Sequence, residues 1–296
     1  MEGQTRIVPV RSRYHVWTRQ VGHGSIPILL LHGGPGATHE YLECFSQYLP
    51  LDKYTLYFFD QLDSYYSDQP GNPELWTVEG FVDEIEDVRR ALNLSQFYLL
   101  GQSWGGLLAI EYALKYGAYL KGVIISNMVA SIDSYVQYLN TLRRQLPQDI
   151  QDALERYESM EAYQDSQYQE LVLQHLYTKH LCRLDPWPEA VTRSLSRMNT
   201  KIYEYMQGPN EFVVTGTFKD WNRWQDLHHI TIPALVIGGR YDTMDPAALE
   251  KMGKMIPQGY SVICENGSHM AMWDDPETYY PAVEEFIASC ETANFS

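Results

Sequence analysis

Cysteine is scarce in this chain, and so is positive charge. The four cysteines, Cys44, Cys182, Cys264 and Cys290, stand far apart, with no C-x-x-C pair and no histidine cluster at metal-ligand spacing. They read as scattered thiols, not as a disulfide framework or a zinc site. Lysine and arginine total 22 against 38 aspartates and glutamates, a formal net charge of -16. Such a surface repels phosphate backbones and anionic lipid, so neither a nucleic-acid nor a membrane partner is expected. The longest apolar run, Ile28 to Leu31, is far too short to cross a bilayer, and the opening MEGQTRIVPV has no apolar leader core, so a cytoplasmic location is expected. Neither a metal motif nor a phosphate-binding loop is present, and the expectation is of no metal and no cofactor.

What is present is an alternation. Apolar runs at Ile28–Leu31, Tyr54–Phe59, Phe97–Leu100 and Gly122–Ser126 read as buried strands. Between the last three lie helical stretches: Phe81, Ile85, Val88 and Leu92 recur at steps of three and four, and Gly106–Tyr116 is rich in helix formers, with Gly117 placed to end it in the left-handed conformation. Strands alternating with helices at this spacing predict an α/β fold, a mostly parallel, doubly wound sheet. The pattern stops near residue 128. Residues 128–215 are polar, rich in Tyr and Gln and helical in period, and no strand-like run comes before Glu211–Thr215. Alternation then resumes with strands at Ala234–Gly238 and Tyr260–Cys264 and helices from Pro246 and Pro276. The reading is a core of residues 1–127 and 216–296 with a helical cap, 128–215, inserted into it.

Gly101-Gln-Ser103-Trp-Gly105 fits G-x-S-x-G, between a strand and a helix. A serine there sits on a sharp turn that needs small residues on either side, and the helix behind it aims N–H groups at developing negative charge. This is the nucleophile turn of the α/β-hydrolase fold, in which the chain order is serine, acid, histidine. Asp242 and His269 fall in loops after the last two core strands and supply the acid and the general base. Asp245 rivals Asp242, but it directly precedes Pro246 and suits a helix N-cap. The oxyanion needs two N–H donors. One is assigned to Trp104, the other to Gly34 in His32-Gly-Gly-Pro-Gly36, with Gly33 as the alternative and lying close against the substrate.

His32-Gly-Gly-Pro-Gly36, Asp60-Gln61, Gly101-Gln-Ser-Trp-Gly-Gly106 and Gly208-Pro-Asn-Glu-Phe212 together resemble the proline iminopeptidases, also called prolyl aminopeptidases. The resemblance implies release of an N-terminal residue, preferably proline, from small peptides with an unblocked N-terminus, through an acyl-enzyme. It also implies that carboxylates hold the substrate amine, and it places Glu211 in that role. The chain departs from the pattern twice. Thr243 stands where many members have a second acidic residue, which leaves Glu204 and Glu40 as candidates for a second anchor. Asp63 and Tyr65 stand where glycines are usual, so that Asp63 is itself a candidate to face the amine. Tyr203, Tyr205 and Trp221 are placed to wall a pocket for the pyrrolidine ring. Competing readings are a carboxylesterase or carbon–carbon bond hydrolase with the same triad, and a receptor that binds ligand without turnover.

Overall fold

The computed structural model of the chain describes residues 3–293; Met1 and Glu2, the first two residues of the opening segment read above, lie outside them. Among the described residues eight strands form one sheet: β1 (Gln4–Val10), β2 (Tyr14–Gly22), β3 (Ile26–Leu31), β4 (Tyr54–Phe59), β5 (Phe97–Gln102), β6 (Leu120–Ser126), β7 (Ala234–Gly239) and β8 (Gly259–Cys264). Their spatial order is β1-β2-β4-β3-β5-β6-β7-β8. β1 and β2 pair antiparallel, β2 joins β4 antiparallel, and every later pairing is parallel. No helix among the described residues is long and apolar enough to cross a membrane.

The strand sequences are apolar at both parities because both faces of the sheet are covered. Leu29, Leu31, Leu99, Val123, Ile125 and Val236 face one layer with helices Val78–Ala91, Trp104–Tyr116 and Pro246–Met255. Their neighbours Ile28, Leu30, Leu100, Ile124, Leu235 and Ile237 face the other, beneath helix Pro276–Ala293. Helix Val78–Ala91 is started by the Thr77 side chain, which accepts from the Gly80 N–H at 3.1 Å. It turns Phe81, Val82, Ile85 and Val88 inward and carries Arg89 and Arg90 in its last turn, where the helix dipole favours cations.

Between β6 and β7 the chain leaves the sheet for helices Ile132–Arg143, Gln148–Ser159, Ser166–His180 (with a single π-helical turn at Leu173–Tyr177), Glu189–Ser196 and Thr200–Met206. The strand expected at Glu211–Thr215 is instead a turn. The Asn210 side chain accepts from the Phe212 N–H at 2.9 Å, and an isolated bridge joins Asn210 to Val213. Residues 216–233 form no strand either. They run back along the core, with Trp221 Nε1 and Arg223 bound to Glu111 of helix Trp104–Tyr116 at 2.6 Å each.

Gly117 also differs from expectation. Its φ is -54°, so it continues the right-handed backbone into a short turn through Tyr119, and a Cβ built on it meets nothing within 4 Å. Because alanine fits this conformation and restricts the unfolded chain, Gly117→Ala is expected to stabilise the fold by about 0.4–1 kcal/mol. A thermal melt checks the sign: a lowered midpoint would show that this residue needs glycine's freedom.

Candidate active site

The parallel strands end in near register, Leu31 beside Gly101, Gln102 beside Ser126 and Ser126 beside Ile237. The loops that follow them therefore open on one edge. Chain direction across the sheet reverses between β3 and β5, the place where open α/β sheets form a crevice. His32-Gly-Gly follows β3 and Ser103 follows β5 at that crevice.

Ser103 has φ 58° and ψ -125°, strained for a residue with a side chain. The surroundings dictate it. A Cβ on Gly101 would lie 1.9 Å from the Gly105 carbonyl oxygen, and one on Gly105 would lie 2.3 Å from that of Leu31, so strand, turn and helix pack with backbone against backbone. The Ser103 carbonyl accepts the Gly106 N–H at 2.7 Å and the Leu107 N–H at 3.1 Å, starting the helix. The Trp104 N–H, at the first helical position, has no partner within the helix and is left for a ligand.

The His269 Nδ1–H donates to Asp242 Oδ1 at 2.7 Å, with Asp242 fully buried. Asp242 also accepts from Asn127 Nδ2 at 2.6 Å and from the Met244 N–H at 3.2 Å. Asp245 caps helix Pro246–Met255 through the Ala247 N–H at 3.0 Å, as its position before the proline foretold. Burial opposes charge on the His269 ring, but the Asp242 carboxylate and its hydrogen bond, with the Glu211 charge beyond, outweigh it and hold the pKa above the usual histidine value.

The His32-Gly-Gly loop is fixed by the side chains of His32, Tyr41 and Gln102, in roles that sequence reasoning missed. His32 Nδ1–H donates to the Gly33 carbonyl at 2.8 Å while its Nε2 accepts the Gln61 N–H at 3.0 Å. Burial lowers its pKa, so the ring stays neutral and keeps this tautomer. The Gly33 N–H donates to the Tyr41 hydroxyl at 2.6 Å, the hydroxyl donates to Gln102 Oε1 at 2.7 Å, and Gln102 Nε2 donates to the His269 carbonyl at 2.9 Å. Gly33 thus has its N–H engaged, which favours Gly34 as the second donor. Gln102 lies inside the G-x-S-x-G match and Asn127 directly follows a core strand, so position alone could have flagged both. Tyr41 carried no local signal.

Opposite Ser103 stands Glu211, its side chain 12% exposed and its Oε1 3.7 Å from His269 Nε2. Tyr135 donates to Oε1 at 2.7 Å and Tyr203 to Oε2 at 3.1 Å, and the Glu211 N–H donates to the Tyr177 hydroxyl at 3.3 Å. Burial and the neighbouring Glu211 charge push the Tyr135 and Tyr203 phenols far up, so they remain donors. The other amine candidates sit elsewhere. Asp63 is spent on Trp76 Nε1 at 2.7 Å and the Gly71 N–H at 2.9 Å, which corrects the reading that it faces the amine. Glu40 is bound by Arg193 and Arg197 outside the cleft. Glu204 stands exposed at the cleft rim. Thr243 lies within 3.3 Å of both Asp242 Oδ1 and His269 Nδ1. Of the aromatics expected to wall the pocket, Tyr203 lines it, while Tyr205 and Trp221 line a separate surface groove.

The cleft over Ser103 has about 270 Å³ of free volume between core and inserted helices. A recess of about 10 Å³ leads off it beside Ser103 and Glu211, lined by Leu107, Met128, Ile132, Phe218 and Met244.

A serine strained at the reversal point of a mostly parallel sheet, with a histidine–aspartate pair on the same edge, defines an α/β hydrolase. The alpha/beta hydrolase fold profile matches residues 26–276. Full-length relatives narrow the class. The chain is 44% identical over 288 residues to a proline iminopeptidase of Flavobacterium johnsoniae, covering 95% of this chain and 97% of the other. A proline iminopeptidase of Elizabethkingia meningoseptica is also 44% identical, over 96% and 97% of the two chains. The crystal structure of a proline iminopeptidase from Mycobacterium smegmatis superposes with a TM-score of 0.90 at 31% identity, covering 98% of this chain and 100% of that one. The chain belongs to the proline iminopeptidase family.

Because Glu211 helps hold the His269 pKa up, Glu211→Gln is expected to lower it. Labelling of Ser103 by a fluorophosphonate needs neutral His269 and no amine contact. Its rate should fall with acidity at a lower pH in the variant than in the wild type. An unmoved or raised midpoint would mean the two groups are not coupled.

Proposed function

We propose that the protein is a serine aminopeptidase that releases an N-terminal residue, preferentially proline, from small peptides. The observation that carries this reading is the place of Glu211. A carboxylate 3.7 Å from the catalytic base suits a cation only two covalent bonds from the scissile carbonyl, which is where the α-amine of an N-terminal residue lies. At about 4 Å and an effective dielectric near 20, such a pair attracts by roughly 4 kcal/mol. An N-blocked peptide offers nothing to Glu211 and leaves the carboxylate desolvated. The cleft of about 270 Å³ over Ser103, lined by Tyr203 and Glu211, has room for a compact ring and the start of the peptide that follows it. Residues 128–215 act as the cap that brings Glu211 over the core.

In this mechanism His269, oriented by Asp242, takes the Ser103 proton as Oγ attacks the carbonyl carbon of the first residue. The Gly34 and Trp104 N–H groups hold the oxyanion. His269 gives its proton to the leaving nitrogen of the second residue, and water, deprotonated by the same ring, then hydrolyses the ester. A carboxylesterase on the same triad has no use for a buried anion beside the acyl site, and a receptor has no use for the strained serine. The four buried, unpaired cysteines fit a reducing compartment, and we place the protein in the cytoplasm.

Hydrolysis of Pro-p-nitroanilide, compared with Ala-, Leu- and N-blocked Pro-anilides, tests the assignment. Ser103→Ala is expected to lose about six orders of magnitude in kcat, as loss of a serine nucleophile does elsewhere. Glu211→Gln should lose roughly thirtyfold or more in kcat/KM, corresponding to about 2–5 kcal/mol for one partner of a buried charge pair. Turnover of blocked anilides as fast as the free one would refute the amine anchor. A bound ammonium also cancels the Glu211 charge at His269. The acid limb of kcat is therefore expected at lower pH than that of kcat/KM; coincident limbs in the wild type would contradict this.

A further inference from the structure

The segment that ends the helix Ser166–His180 touches both catalytic loops. His180 Nδ1–H donates to the carbonyl of Tyr241, the residue before the acid, at 2.8 Å. The His180 carbonyl accepts the backbone N–H of His269 itself at 2.9 Å, and the next carbonyl, Leu181, accepts that of Met270 at 2.9 Å and the Ser268 hydroxyl at 2.9 Å. The His180 ring also lies 6.2 Å, centre to centre, from that of Phe212, the neighbour of Glu211. Two flanking contacts extend the seam: the Arg183 guanidinium sits 3.7 Å over the Tyr241 ring, and the Arg183 N–H donates to Asp274 Oδ1 at 3.0 Å. The π-helical turn at Leu173–Tyr177 lies one turn upstream. Such turns re-aim the residues that follow them and recur at functional sites.

We propose that His180 is a positioning residue of the reaction, whose ring and carbonyl tie the Asp242 loop and the His269 loop to the inserted helices so that acid and base reach working geometry when this segment is seated. Its ring touches neither Ser103 nor the substrate cleft, so it acts through Tyr241 and His269. Burial lowers its pKa against the pull of the Tyr241 carbonyl, which leaves the ring a neutral Nδ1–H donor. Leucine keeps the bulk against Phe212 and removes the donor. Asparagine sets its amide Nδ2 where the histidine Nδ1 stands and restores it. The inference rests on the assignment of Asp242 and His269 as acid and base.

The test is steady-state turnover of Pro-p-nitroanilide together with the fluorophosphonate labelling rate of Ser103, in the full chain. His180→Leu is expected to lower kcat on the order of tenfold to a hundredfold, the cost of shifting a catalytic group by about an ångström. KM should stay within about twofold, and labelling should slow by the same factor as kcat. His180→Asn should recover most of both. If the leucine variant melts below the assay temperature, His180→Asp, shaped like asparagine but lacking the donor, takes its place with the same expectations. Wild-type kcat in the variant without the donor, a loss confined to KM, or an asparagine variant that folds but recovers nothing would each overturn the proposal. Ser103→Ala run alongside separates the two readings. An active alanine variant would sink the site assignment, whereas a dead one beside an unimpaired His180→Leu would sink the His180 inference alone.

Discussion

The backbone at Ser103 is the constraint on which the rest of the site depends. A φ of 58° on a residue with a side chain costs of order 1–3 kcal/mol and persists only where the surroundings allow nothing else. Here the carbonyls of Gly105 and Leu31 close the space beside the turn, so strand β5, the helix after it and strand β3 fix one another at backbone distance. That contact sets the serine at the crevice, turns the helix N-terminus toward it and brings the His32-Gly-Gly loop alongside. The Tyr41–Gln102 relay then passes the same placement on to the His269 carbonyl. The Ser103 turn, the His32-Gly-Gly loop and the His269 loop are thus one hydrogen-bonded body, not three loops that happen to meet.

The electrostatics of that body are one-sided. Asp242 and Glu211 bracket His269 from opposite nitrogens. Both raise the hold of the His269 ring on a proton, and in the proposed mechanism both favour the imidazolium that forms as Ser103 attacks. Two carboxylates on one neutral ring leave a buried net negative charge, and an ammonium is the ligand chemistry that relieves it. The tyrosines around Glu211 make this workable. Tyr135 and Tyr203 each give a carboxylate oxygen one hydrogen bond without bringing a positive charge. An arginine in their place would neutralise the anion and leave the amine nothing to bind.

The sequence was legible wherever chemistry follows directly on a buried strand. The Ser103 turn, the choice of Asp242 over Asp245, and His269 all rest on local grammar: a glycine pair, a proline after the cap, a loop after an apolar run. What it hid was either long-range or half-exposed. The hairpin β1–β2 went unseen because its alternation is broken by polar residues on both faces, with Gln4, Thr5 and Arg6 exposed in β1. Glu211–Thr215 imitated a strand through its β-branched residues, but the Asn210 side chain ties it into a turn. Asp63 in place of glycine suggested a ligand, whereas its carboxylate braces its own loop against Trp76 and Gly71. No spacing rule relates Tyr41 to Gln102, or Tyr135 and Tyr177 to Glu211; only the fold brings them together.

The inserted helices are held down in two unlike ways, and the difference bears on precision. On one side Glu40, almost fully buried, takes Arg193 from the helix Glu189–Ser196 and Arg197 from just after it, with Thr38 and Tyr66 donating as well. Charge-assisted hydrogen bonds to a buried carboxylate are stronger than neutral ones, whereas an exposed pair contributes about 1 kcal/mol or less. This side supplies strength. On the other side the His180–Leu181 backbone meets the His269 loop through neutral hydrogen bonds, each of modest net energy but narrow geometry. That side supplies register. In the proposed mechanism Glu211 meets an amine beside a reacting carbonyl, a task that tolerates little error in position, and it comes from the inserted segment, not from the sheet. The two fastenings together hold that segment to the same frame as Ser103.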